Sequence, residues 1–216
     1  MPLVRENSQL YESIKVSTIS GIPLSVTTVS GVSVTVATAS GTSLSVNDNA
    51  SSLTVDGKAY RSTVSITRPS NTTAYTSGDV VGSTGGSAIL TLTGIAPSGG
   101  FILTQSAALI FSDSTVPAGM GAFRVHFYNA SPTAIADNAP FDLVSGDRAL
   151  YMGYIDLSAP QDFGSTIYTQ VDYPGRLIRL AAASTTLYAE IETRGAYTPV
   201  SASTIELRVS TLEAGL

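Results

Sequence analysis

Residues 14–46 repeat with a period of ten, and that period limits what the chain can fold into. Ile14, Leu24, Val34 and Leu44 form one column, and Val16, Val26, Val36 and Val46 form a second, two residues on. Thr18, Thr28 and Thr38 form a third, and Ser20-Gly21, Ser30-Gly31 and Ser40-Gly41 punctuate the copies. A weaker copy, Leu53-Thr54-Val55-Asp56-Gly57, arrives one residue early. Several independent columns at one spacing mark a repeat architecture. Within each copy apolar residues alternate with Ser and Thr, as in Ile22, Leu24, Val26 and Val32, Val34, Val36. A period of two with β-branched residues specifies strand, and Ser-Gly between strands specifies a turn. Glycine every ten positions among poor helix formers disfavours helix.

One copy cannot stand alone. Three buried aliphatic side chains return less free energy than ordering ten residues costs, so each copy needs neighbours on both sides. No charged residue occurs between Lys15 and Asp48 to guard the strand edges. The repeat therefore predicts a narrow β stem wound from three identical chains, with Ile14, Val16, Leu24, Val26, Val34, Val36, Leu44 and Val46 on its axis. A β-meander within one chain and an unstructured Ser/Thr linker are the alternatives.

Beyond Asp56-Gly57 the charges, aromatics and prolines return. The predicted organisation is an extended arm over 1–13, the stem over 14–58 and a β domain over 59–216. Period-two alternation and turn residues predict strands at 61–67, 87–94, 101–111, 122–128, 149–157, 165–172, 177–183, 186–193 and 203–212. Phe123, Val125 and Phe127 alternate with Arg124, His126 and Tyr128, and Ile205, Leu207 and Val209 alternate with Glu206 and Arg208. Strands this short and numerous predict an all-β fold, an antiparallel jelly-roll-like sandwich. The connections 68–86, 112–121 and 129–148 are expected at its ends.

Charged residues make up only 12% of the 216-residue chain, and the net charge is −5. That gives no basic footprint for nucleic acid. No apolar run reaches the length of a membrane-spanning helix, and no signal peptide is expected. There is no cysteine, hence neither disulfide nor thiolate metal site. His126 is the single histidine, so no second one completes a zinc site. On a polar strand face it reads as a surface or hydrogen-bonded structural residue, and His126→Ala is expected to cost under about 1 kcal/mol. Glu190 and Glu192 share a strand face but read as solvated rather than as a glycosidase pair. Asp137, Asp142, Asp147 and Asp162 lack the spacing of a calcium loop. The "GSTGG" at 82–86 is a turn, without the lysine of a phosphate loop. Asn49, Asn71 and Asn129 head glycosylation-type triplets that read as chance. Tyr128, Tyr151, Tyr154, Tyr168, Tyr173 and Tyr188 either cap the sandwich rims or line a sugar- or protein-binding face. No catalytic residues and no cofactor are expected.

"RSTVSITRPSNTTAYTSGDVVG" (61–82), "VPAGMGAFRVHFYNASPTAIADNAPFDL" (116–143), "GDRALYMGYIDL" (146–157) and the ending "TLEAGL" resemble a family of tailed-bacteriophage virion proteins, the capsid decoration (cement) and head-fibre proteins. The Ser-Gly-x-x-Leu-Ser-Val repeat is similar to stems at the N-termini of such proteins. The resemblance implies a homotrimer on the capsid surface of the virion, partnered by the major capsid protein. It carries no catalytic residues to transfer. On this reading the N-terminal arm, with Pro2, Leu3, Val4 and Arg5, contacts capsid. A tail-associated receptor-binding protein whose sandwich binds a host glycan is the alternative.

Overall fold

The structure, a computed structural model, describes residues 58–85 and 88–214. The arm and the stem, with Pro2, Leu3, Val4, Arg5 and the axial residues Ile14, Val16, Leu24, Val26, Val34, Val36, Leu44 and Val46, lie outside the described residues.

The described chain is all-β apart from one 3₁₀ turn at Ser145–Asp147. Its strands are β1 (Ala59–Thr67), β2 (Val80–Val81), β3 (Leu90–Leu92), β4 (Phe101–Phe111), β5 (Phe123–Tyr128), β6 (Tyr151–Leu157), β7 (Gln161–Asp162), β8 (Ile167–Asp172), β9 (Leu177–Arg179), β10 (Leu187–Thr193) and β11 (Thr204–Ala214). They form two antiparallel sheets. The first has the order β1-β11-β4-β8-β7, with β9 also on β4; the second has the order β2-β10-β5-β6, with β3 also on β10. Neighbours within a sheet are mostly remote in sequence, so successive strands pass back and forth between the sheets.

Alternation explains the layering. Val125 and Phe127 of β5, Ala189 and Ile191 of β10, Leu109 and Phe111 of β4, and Leu207 and Val209 of β11 are all buried in one core between the sheets. Phe111 of the first sheet meets Phe123 of the second at 5.3 Å between ring centroids. Burying each such side chain contributes about 1.5–3 kcal/mol.

The strand expected at 101–111 forms over those residues, and those expected at 122–128 and 186–193 form within one residue of their bounds. The strand expected over 87–94 shrinks to β3, and that over 177–183 to β9. In each case the strand is one piece of a broken line. β2 and β3 both pair with β10, and β8 and β9 both pair with β4. The break between β8 and β9 sits opposite a bulge: Ser210 pairs with Ser106 and Thr211 with Thr104, leaving Gln105 as the extra residue. There Tyr173 N–H donates to the Gln105 carbonyl at 2.5 Å and Thr104 N–H to the Arg176 carbonyl at 3.0 Å. Arg176 then crosses to the edge of β6, its Nε donating to the Met152 carbonyl at 2.9 Å. Residue 153 must be glycine: its φ is +94°, and a Cβ there would overlap the Arg176 guanidinium.

Candidate functional site

The outer face of the second sheet gathers most of the chemistry-bearing side chains. Register places His126 of β5 beside Glu190 of β10 and Tyr154 of β6, and Arg124 beside Glu192 and Asp156. The sequence reading of this face as solvated is corrected by the structure. His126 is 3% exposed, Glu190 1% and Glu192 5%. The reason is the 129–148 connection, expected at the end of the sandwich, which lies over the face as a strap. Phe141 of the strap stacks on the His126 ring at 3.7 Å, 10° from parallel. The strap is sewn to the β2 margin by three backbone hydrogen bonds: Val80 N–H to Ala139 O at 2.8 Å, Asn138 N–H to Val80 O at 2.9 Å and Phe141 N–H to Gly78 O at 2.8 Å.

Both ring nitrogens of His126 are engaged. Nε2 lies 2.9 Å from Glu192 Oε2, and Nδ1 lies 2.9 Å from the Tyr151 hydroxyl. A carboxylate only accepts, so Nε2 carries the proton and Nδ1 accepts from Tyr151. The other oxygen of Glu192 accepts from Arg194 Nη1 at 2.7 Å. Burial pushes the imidazole below its usual range, outweighing the pull of Glu192. One wall away, Glu190 Oε2 accepts from the Tyr128 hydroxyl at 3.0 Å. Burial raises its carboxyl above the usual range. At the uncovered margin, Arg124 makes a two-pronged bond to Asp156 at 2.7 and 3.0 Å and lies 3.7 Å over the Tyr154 ring. That guanidinium holds the Asp156 carboxyl below the usual range.

A second polar knot pins the strap from the far side. Arg68, at the end of β1, is buried and donates from Nε to the Tyr75 hydroxyl at 2.5 Å, from Nη1 to the Val200 carbonyl at 3.1 Å and from Nη2 to Asp137 at 3.3 Å. Asp137 also accepts from the Tyr75 hydroxyl at 2.5 Å and from Gly82 N–H at 2.8 Å. Asp137, read from sequence as one of several scattered loop acids, is the hub of this knot. Nothing in the local pattern around it signals that role, because its partners lie 55–69 residues away.

The tyrosines do not form one face. Tyr128 is buried and Tyr151 half-buried in the His126 cluster, Tyr154 and Tyr173 are exposed, and Tyr168 borders a cleft of about 250 Å³ with Ser158, Gln161, Phe163, Thr169 and Gln170. Among the described residues, no three His, Asp or Glu side chains converge to hold a metal ion. Chemically, the strap-covered cluster is built to hold: its polar atoms face one another, and a substrate would reach His126 only by displacing Phe141.

No family model matches the chain, and no curated protein matches it. Among solved structures the chain is similar to one from Israeli acute paralysis virus, a full particle heated to 63 degree. The two share 11% identity over 81% of this chain and 84% of that one. At a TM-score of 0.30 the likeness carries no argument about function.

Proposed function

We propose that the chain is a structural virion protein that decorates or cements a capsid as a homotrimer, without catalytic activity of its own. The observation that carries the reading is the decapeptide repeat with unguarded edges, placed ahead of a self-sufficient sandwich. The repeat calls for identical neighbours, whereas the sandwich completes its own core. Counting β2 with β3 and β8 with β9 as single interrupted strands, and setting β7 aside, leaves eight strands. Their order is first-eighth-third-sixth in one sheet and second-seventh-fourth-fifth in the other. That order is a jelly roll, a framework that serves in viral capsids as well as in lectins and enzymes. The fate of the ionisable groups supports an architectural role. His126 bonds to Glu192, and Arg68 to Asp137 of the strap, which rigidifies the surface.

Capsids lacking the protein provide the test. The full chain is expected to bind them far more tightly than a chain carrying Val26→Asp and Val36→Asp. Those changes would bring unpaired carboxylates together on an apolar axis and remove an avidity factor of roughly 10²–10⁴. Equal binding by both chains refutes the reading.

A further inference from the structure

The cleft at the β7–β8 margin of the first sheet belongs to neither polar cluster, and its chemistry is of a different kind. Phe163, next after β7, is 65% exposed. It is held there by a defined turn: Phe163 N–H donates to the Thr166 carbonyl at 2.8 Å, Asp162 Oδ1 accepts from Gly164 N–H at 2.7 Å, and Gly164 takes a φ of +91°. Its ring stands edge-on to Tyr168 at 6.0 Å and 90°. Gln161 and Gln170 border the same cleft. Gln170 is oriented by the Tyr168 hydroxyl at its oxygen and by Asp172, 2.9 Å from its nitrogen. The buried Thr169 closes the floor through its bond to the Ser158 carbonyl at 2.8 Å.

We infer that this cleft is a binding site for a neutral saccharide. An exposed, pre-ordered aromatic ring suits the C–H face of a pyranose, because it supplies apolar area without closing the site. Carboxamides both donate and accept, as sugar hydroxyls do, so each can bond a hydroxyl in either sense. No Lys or Arg lines the cleft, and the carboxylate of Asp172 is bonded to the lining residue Gln170, so a phosphate, sulfate or acidic sugar would find no counter-charge there. The volume, about 250 Å³, is below that of sites that enclose drug-sized ligands, so the cleft seats a single ring and leaves the rest of a polymer in solvent. The open edge of β7 lets such a polymer run past on either side. This inference goes beyond the structural role proposed above and does not depend on it.

The test uses the full chain and short oligosaccharides of neutral glucan, galactan and mannan, with an oligogalacturonate as the acidic control. Saturation-transfer NMR shows contact and calorimetry gives affinity. At least one neutral oligosaccharide is expected to bind, and the acidic control to bind more weakly. Phe163→Ala, at an exposed position and expected to keep the circular dichroism of the unaltered chain, is expected to weaken binding about tenfold. Gln170→Leu is expected to weaken it further when combined with Phe163→Ala. The inference is overturned if no neutral oligosaccharide binds, if Phe163→Ala binds as the unaltered chain does, or if the acidic control binds as well as the neutral ones.

Discussion

The two outer faces of the sandwich begin from the same sequence pattern and end differently. On the first sheet, Glu206 and Arg208 of β11 alternate with buried neighbours and stay partly exposed, paired with each other. On the second, Arg124, His126 and Tyr128 of β5 and Glu190 and Glu192 of β10 alternate in the same way. Yet all but Arg124 lie under the 129–148 strap, buried. Alternation decides which side of a strand faces the core; it does not decide whether the other side meets water. Where the outer face is covered, each polar group must find a partner, because an unpaired buried one costs about 1–3 kcal/mol.

This difference is sharpest at Arg68. Replacing it with methionine leaves the part-buried Asp137 without its counter-charge and strips the Tyr75 hydroxyl of a donor. Unfolding in urea should show a loss of about 3–5 kcal/mol. A loss under about 1 kcal/mol would mean that the knot is as weak as a solvent-facing pair.

His126→Ala comes next. The reading of His126 as a strand-face residue predicts a cost under about 1 kcal/mol. The structure revises this upward: the change removes the Phe141 stack and leaves Glu192 Oε2 and the Tyr151 hydroxyl unmatched. The expected loss is about 2–3 kcal/mol by the same measurement. The smaller value would show that the strap does not close over the face.

Acidity separates the faces again. The His126 imidazole is held below its usual 6.5 when folded. As pH falls through that value the unfolded chain takes up a proton that the folded chain refuses, so this contribution to stability declines. Glu190 works in the opposite sense, because its folded value lies above the usual 4.5. Stability that its ionisation removes at neutral pH returns as pH falls through the raised value. Glu190→Gln should therefore stabilise the protein at pH 8 and lose that advantage near pH 4. His126→Gln should flatten the stability profile just below pH 6.5. An unchanged profile in both variants contradicts burial of the pair.

The smallest effect is expected on the open face. Arg208→Met breaks only a partly exposed pair with Glu206, and its cost should stay within about 1 kcal/mol.

Much of the sandwich was legible because its long strands carry a clean period of two. Phe101–Phe111 and Leu187–Thr193 alternate or run apolar between Gly and Pro or Thr punctuation, so their bounds follow from local pattern. β2 and β7, two residues each, are too short to show any period. They exist only because β10 and β8 supply a ladder to join. The strap is invisible for a related reason. Residues 129–148 have no strand or helix period, and what holds them is a set of long-range bonds to Gly78, Val80 and Arg68. Once the strap was missed, the burial of His126 and the Glu pair could not be foreseen. The Phe163 cleft was half legible: Tyr168 stood among the candidate tyrosines, but Phe163 lies between strands in a segment without any period.

The proposed function divides the labour between a repeat that assembles three chains and a sandwich that folds by itself. Light scattering coupled to size exclusion tests it on the full chain and on the chain with Val26→Asp and Val36→Asp. The predicted result is a mass of three times 22.3 kDa for the former and a reduced mass for the latter, with the β-type circular dichroism of the sandwich kept in both. A full chain that elutes as a monomer, or a doubly substituted chain that stays trimeric, would contradict the account.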